Sequence, residues 1–142
     1  MSDRHILTPY FLDEPRPAIA DMAAPDWRVV QPDLPPGEPD NVSAAGIGHV
    51  TNVEALLQPG ALPDGPLLVH FDADVIDPGD APAMNYPAPS GPPAETVRDV
   101  LRALAATDRV VAVSVSLWEP ALDPDGHTQA VVQGAINALL GH

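Results

Sequence analysis

The sequence predicts an α/β protein: a three-layer sandwich with a mostly parallel sheet between helical layers. Two apolar runs, Leu67-Leu68-Val69 and Val110 to Val115, have the near-continuous hydrophobicity of parallel strands covered on both faces. Between them Val97, Val100, Leu101 and Leu104 recur at helical spacing, so the segment reads as one βαβ unit. Of nineteen prolines, most cluster at 25–39, 59–66 and 78–93 and mark the loops.

In chain order the pattern predicts a strand near Ile6 to Phe11, a weak helix near Pro17 to Met22 and a strand near Trp27 to Gln31. A proline-rich linker, Leu34 to Pro39, follows. Next come a strand near Ala45 to His49 and a short helix over Asn52 to Leu57, with Thr51 as N-cap. The buried strand Leu67 to Phe71 runs into Asp77-Pro78, which cannot continue a central strand. A helix over Pro92 to Thr107 tolerates its prolines in the first turn. The last helix, about Thr128 to Leu140, places Val131, Val132, Ala135, Ile136, Leu139 and Leu140 on one side to cover the sheet.

Composition narrows the function classes. A chain of 142 residues suits one domain with a real core. With no cysteine, disulfides, thiolate catalysis and thiolate metal sites are excluded, and any metal must take oxygen or nitrogen ligands. A formal charge of −14 repels nucleic acid and anionic lipid and draws in cations. No run approaches the roughly 20 apolar residues that span a bilayer, and Met1 to His5 lacks a basic region followed by an apolar one. The expectation is a soluble cytoplasmic protein that binds neither nucleic acid nor membrane.

The densest chemistry is His70-Phe71-Asp72-Ala73-Asp74. An extended strand turns His70, Asp72 and Asp74 to one face, near the carboxyl end where open α/β sheets bind ligands. Carboxylates beside hydrophobic strand residues need a positive partner, and with few lysines or arginines nearby a divalent cation fits: Mn²⁺, Mg²⁺ or Zn²⁺. The competing reading is that strand ends and turns are rich in Asp. His70 is either an auxiliary ligand or a hydrogen-bonded core residue, and His49 either lies beside it on an adjacent strand or has no role. His127 sits in the turn Asp123 to Thr128, whose Asp and Gly residues are explained by turn geometry, and neither Ser116 nor Ser43 has a histidine–acid arrangement nearby in sequence.

The run His70 to Pro78, with Ala81-Pro82-Ala83 and the small residues Pro87 to Pro92, resembles the second metal-binding signature of the ureohydrolases, the arginase, agmatinase and formiminoglutamase family. The resemblance implies that Asp72 and Asp74 ligate manganese and that Asp77 shapes a turn. Val113 to Asp123 is similar to the family's later strand-end segment. Aligned on Pro120, the family's substrate-contacting glutamate falls at Leu117, while Glu119 occupies the neighbouring asparagine position and is either a substrate-side carboxylate or a solvated loop residue. The likeness runs from about Pro66 to the C-terminus, with an echo at Ile6 to Asp13. The family's upstream Gly-Gly-Asp-His and Asp-Ala-His-x-Asp motifs are not found, so the chain resembles a short, truncated member lacking the central part of the fold. It reads as a single domain, 1–142, with 1–40 as an N-terminal strand and linker piece and 41–142 as the metal-motif half.

Two functions follow from the resemblance. The first is a manganese-dependent hydrolase of a guanidino or amidine C–N bond acting on a small cationic substrate, with Asp72, Asp74 and His70 on the metal and Glu119 on the substrate. The second is a catalytically inactive binding or oligomerisation module. Under either, an exposed sheet edge predicts a homo-oligomer.

Overall fold

The computed structural model describes residues 4–7, 28–30, 37–44, 46, 48–87 and 90–142. Five strands form one sheet: β1 (Arg4–Leu7), β2 (Arg28–Val30), β3 (Gly48–Val50), β4 (Leu67–Asp72) and β5 (Val110–Ser116). Their order is β3-β2-β1-β4-β5 and every pairing is parallel. The expected weak helix near Pro17 to Met22 lies outside the described residues.

Strand β4 is flanked by β1 and β5, so its backbone is paired on both edges. Its side chains alternate: Leu67, Val69 and Phe71 are buried, while Leu68 and His70 are half-buried. Val69 and Phe71 pack with Val97, Leu101 and Leu104 of α2 (Ala94–Ala105) and with Val132, Ala135 and Leu139 of α3 (His127–Leu139). These residues sit at helical spacing, so each helix turns one apolar stripe to the sheet. The chain from β4 through α2 to β5 is the predicted βαβ unit. Among the described residues, no helix is long and apolar enough to cross a membrane.

The structure corrects the sequence at four places. Strand β5 is not covered on both faces: among the described residues it ends the sheet, and Val111 and Val115 are 70% and 40% exposed. A bulge opposite Leu67/Leu68 sets Val111 out of the ladder. The linker does not stay irregular to Pro39, because α1 (Glu38–Ala44) starts inside it and accommodates the proline in its first turn. Asn52, not Thr51, caps the 3-10 turn Val53–Leu57, its side chain accepting from the Glu54 amide at 2.8 Å. His49 and His70 are not on adjacent strands, since β2 and β1 lie between β3 and β4.

Candidate metal centre

Strand β4 ends at Asp72, and Ala73–Val75 is a 3-10 turn. Asp74 therefore leaves the strand instead of continuing its face, because Asp72 turns back to cap the new turn. Its Oδ1 accepts from the Asp74 amide at 3.5 Å. This places two carboxylates at the carboxyl end of the central strand.

Their surroundings leave them uncompensated. Asp72 is 1% exposed, and among the described residues its buried Oδ2 has no hydrogen-bond donor. Asp74 is pushed up from 3.8 to about 7, first by burial and then by the charge of Asp72. A buried carboxylate oxygen without a donor carries a desolvation penalty that a hard cation relieves. The donor chemistry of the pair thus fits a divalent metal. The pair does not complete a site: among the described residues, no group of three or more His, Asp or Glu side chains can hold a metal ion.

His70 lies two residues before Asp72 and is engaged across the sheet. Its Nδ1 is 3.2 Å from Ser114 Oγ and its Nε2 3.4 Å from Ser116 Oγ. The register explains this, since His70 is level with Ser114 and Asp72 with Ser116. A neutral imidazole serves one hydroxyl as donor and the other as acceptor. No sequence signal marked these serines, because strand register is not a local property.

Glu119 sits in the loop after β5. Its Oε1 accepts from the Ala121 amide at 3.0 Å and caps the turn Pro120–Leu122, and its Oε2 accepts from Asn85 Nδ2 at 3.3 Å. Glu119 thereby ties the loop that follows β4 to the loop that follows β5. Leu117, at the family's glutamate position, has φ of +63°, a left-handed conformation that branched side chains rarely adopt. Trp118 and Tyr86 are exposed at this rim.

The remaining acids near the site are structural. Asp77 Oδ1 accepts from the Gly79 amide at 2.7 Å, which makes it the turn-former. Asp80 Oδ2 accepts from Ala94 at the start of α2 at 2.8 Å. Asp123 accepts from Thr128 and Gln129 at the start of α3 at 3.0 and 2.7 Å, and from the Trp118 indole at 3.1 Å. Burial acts to raise its pKa. The amides of Gln129 and Thr128, the Trp118 indole and nearby His127 outweigh it and hold Asp123 below the usual carboxylate range. His127 Nε2 lies 3.0 Å from the Asp80 carbonyl, a tie between the two loops. Gly91 closes the same knot: a Cβ there would meet the Val75 carbonyl at 2.3 Å.

The arginase family model matches residues 38–141. The chain is 32% identical over 101 residues to N(omega)-hydroxy-L-arginine amidinohydrolase of Streptomyces lavendulae, covering 70% of this chain and 36% of that protein. It is 39% identical over 70 residues to formimidoylglutamase of Rhodococcus opacus strain B4, covering 49% of this chain and 22% of that protein. The fold is similar to that of arginase from Bacillus caldovelox, with a TM-score of 0.69 at 22% identity, over 83% of this chain and 44% of that one. The chain thus spans about a third or less of the curated relatives it matches.

Proposed function

This chain belongs to the arginase family, and on that premise we propose that it acts as a metal-dependent hydrolase of a guanidino or amidine C–N bond on a small cationic substrate. The observation that carries the reading is the donor-less Oδ2 of buried Asp72 beside Asp74, whose pKa is raised to about 7. Asp72 and Asp74 would hold Mn²⁺ or another divalent cation, with His70 as the auxiliary donor two residues back on the strand. When bound, such a cation lowers the pKa of water at the site and neutralises the two carboxylates.

The other steps belong to the chain's own groups. Glu119, on the loop beyond β5, attracts the guanidinium and aligns its planar carbon by charge-assisted hydrogen bonding. Its link to Asn85 holds that carboxylate in one place. Ser114 and Ser116 engage both ring nitrogens of His70, so in this reading one hydroxyl gives way when the imidazole turns to the cation and the other fixes its orientation. The further ligands that two metals require come, in this reading, from a second subunit of a homo-oligomer in the cytoplasm. The competing reading, an inactive arginase-like module, is favoured by the absence of a three-ligand cluster among the described residues.

Calorimetric Mn²⁺ titration of the purified chain separates the two. Stoichiometric binding, lost in Asp72→Ala and Asp74→Ala with far-UV circular dichroism unchanged, and urea or ammonia release from guanidino or amidine compounds support the hydrolase. No Mn²⁺ above background on a folded chain overturns it in favour of the module.

A further inference from the structure

Glu119 is held at both ends by the loop that follows β4. Its amide donates to the Ala83 carbonyl at 3.2 Å, and its Oε2 accepts from Asn85 Nδ2 at 3.3 Å. Asn85 is exposed, so the second bond fixes the carboxylate only as well as the backbone beneath Asn85 is itself fixed. Two residues back that backbone is under cover: Ala83 is 2% exposed, and its amide donates to Thr128 Oγ1 at 3.1 Å. Thr128 is 0% exposed in the first turn of α3, where its own amide donates to Asp123 Oδ1 at 3.0 Å. One residue, Ala83, thus joins Thr128 to Glu119 through its amide and its carbonyl.

We infer that Thr128 is a positioning residue for Glu119: its hydroxyl, acting through Ala83, sets where the Glu119 carboxylate stands relative to the end of β4. The helix itself does not call for this hydroxyl. A threonine at a helix start ordinarily serves the free amides of the first turn. Here those amides are already served, His127 by Asp125, Thr128 and Gln129 by Asp123, and Ala130 by the Gly126 carbonyl. The Thr128 side chain is therefore turned to the other loop instead of to its own helix. A buried amide left without an acceptor is costly, so the hydroxyl and not packing alone decides where Ala83 lies. Its β-branched side chain has few rotamers, and full burial holds it in one of them. The same stitch reaches Glu119 twice, at its amide through Ala83 and at its carboxylate through Asn85.

The inference rests on the proposed role of Glu119 as the substrate-side carboxylate, but the placement of that carboxylate is read without turnover. Thr128→Val keeps the shape of the side chain and removes the acceptor, whereas Thr128→Ser keeps the acceptor. In nitrogen–proton correlation spectra of the full chain, the Asn85 side-chain amide is assigned by its loss in Asn85→Asp. In T128V that signal is expected to move most of the way to its position in Glu119→Ala, with circular dichroism unchanged, and in T128S to stay with wild type. The Ala83 amide of the wild type is expected to exchange with solvent as slowly as the amides of β4, a measurement that needs no variant. Against a guanidino substrate, kcat/KM is expected to fall about tenfold in T128V and to recover in T128S, with Mn²⁺ binding as in wild type because Asp72 and Asp74 are untouched. An Asn85 signal unmoved in T128V overturns the inference. So does one displaced as far in T128S as in T128V, or a fast-exchanging Ala83 amide. A chain that binds no Mn²⁺ and hydrolyses nothing overturns the hydrolase reading instead, while the spectra still decide what Thr128 positions.

Discussion

Two groups of aspartates sit at the carboxyl end of this sheet and are treated in opposite ways. In the knot that joins the loops after β4 and β5, Asp77, Asp80 and Asp123 each accept from backbone amides. A few residues away, Asp72 keeps a buried oxygen with no donor, and its charge helps push Asp74 up to about 7. The first group is finished by the chain itself. The second is answered only in part, by a proton that Asp74 holds against Asp72 near neutrality, which separates a structural acid from a candidate ligand more sharply than sequence position does.

The contrast is tested hardest at Gly91. Replacing it by Ala drives a methyl into backbone atoms of Val75, Ile76 and Asp77 at 2.3–2.9 Å, none of which is the end of a flexible side chain. Urea denaturation is expected to show a loss of about 3 kcal/mol. A loss under about 0.5 kcal/mol would show that the knot is looser than its geometry.

Asp123→Ala removes the acceptor for two amides of α3 and for the Trp118 indole. The melting temperature is expected to fall by about 5 °C at pH 7. Because the folded carboxyl titrates below its unfolded value of 3.8, its contribution is present above that pH and disappears as pH falls through the lowered value. The gap between variant and wild type therefore closes in acid.

Asp74→Asn is the smallest effect and has the opposite sign. With a folded pKa of about 7 against 3.8, the protonated form favours the native state. That stability is complete below about pH 4 and is lost as pH rises through 7. In metal-free buffer the variant is expected to match wild type near pH 4 and to melt about 3 °C higher near pH 8. Excess Mn²⁺ is expected to raise the wild type and leave the variant unmoved. A variant less stable than wild type at pH 8 would mean that Asp74 is compensated after all.

What the sequence disclosed follows from what is local. The apolar run of β4 and the helical spacing of Val97, Val100, Leu101 and Leu104 identified the βαβ unit, because periodicity records burial residue by residue. Asp72 and Asp74 were legible from their motif. The strand face that was to unite them with His70 was not, since a side-chain cap at Asp72 redirects the backbone into a 3-10 turn. Contacts set by register or strand order were hidden altogether. His49 is separated from β4 by two intervening strands, and Ser114 and Ser116 meet His70 only through the β4–β5 pairing. Asp123 read as an ordinary turn residue; the signal available was its place five and six positions before the first free amides of an apolar-periodic helix.

Asp80 and Asp123 occupy the amino ends of α2 and α3. Those ends are the positive poles of the two helices, and each already holds an anion in the form of the protein's own carboxylate. An incoming phosphate or carboxylate thus finds both berths taken. Neither helix end is left free to recruit an anionic ligand, because both poles are spent on tying the loops together.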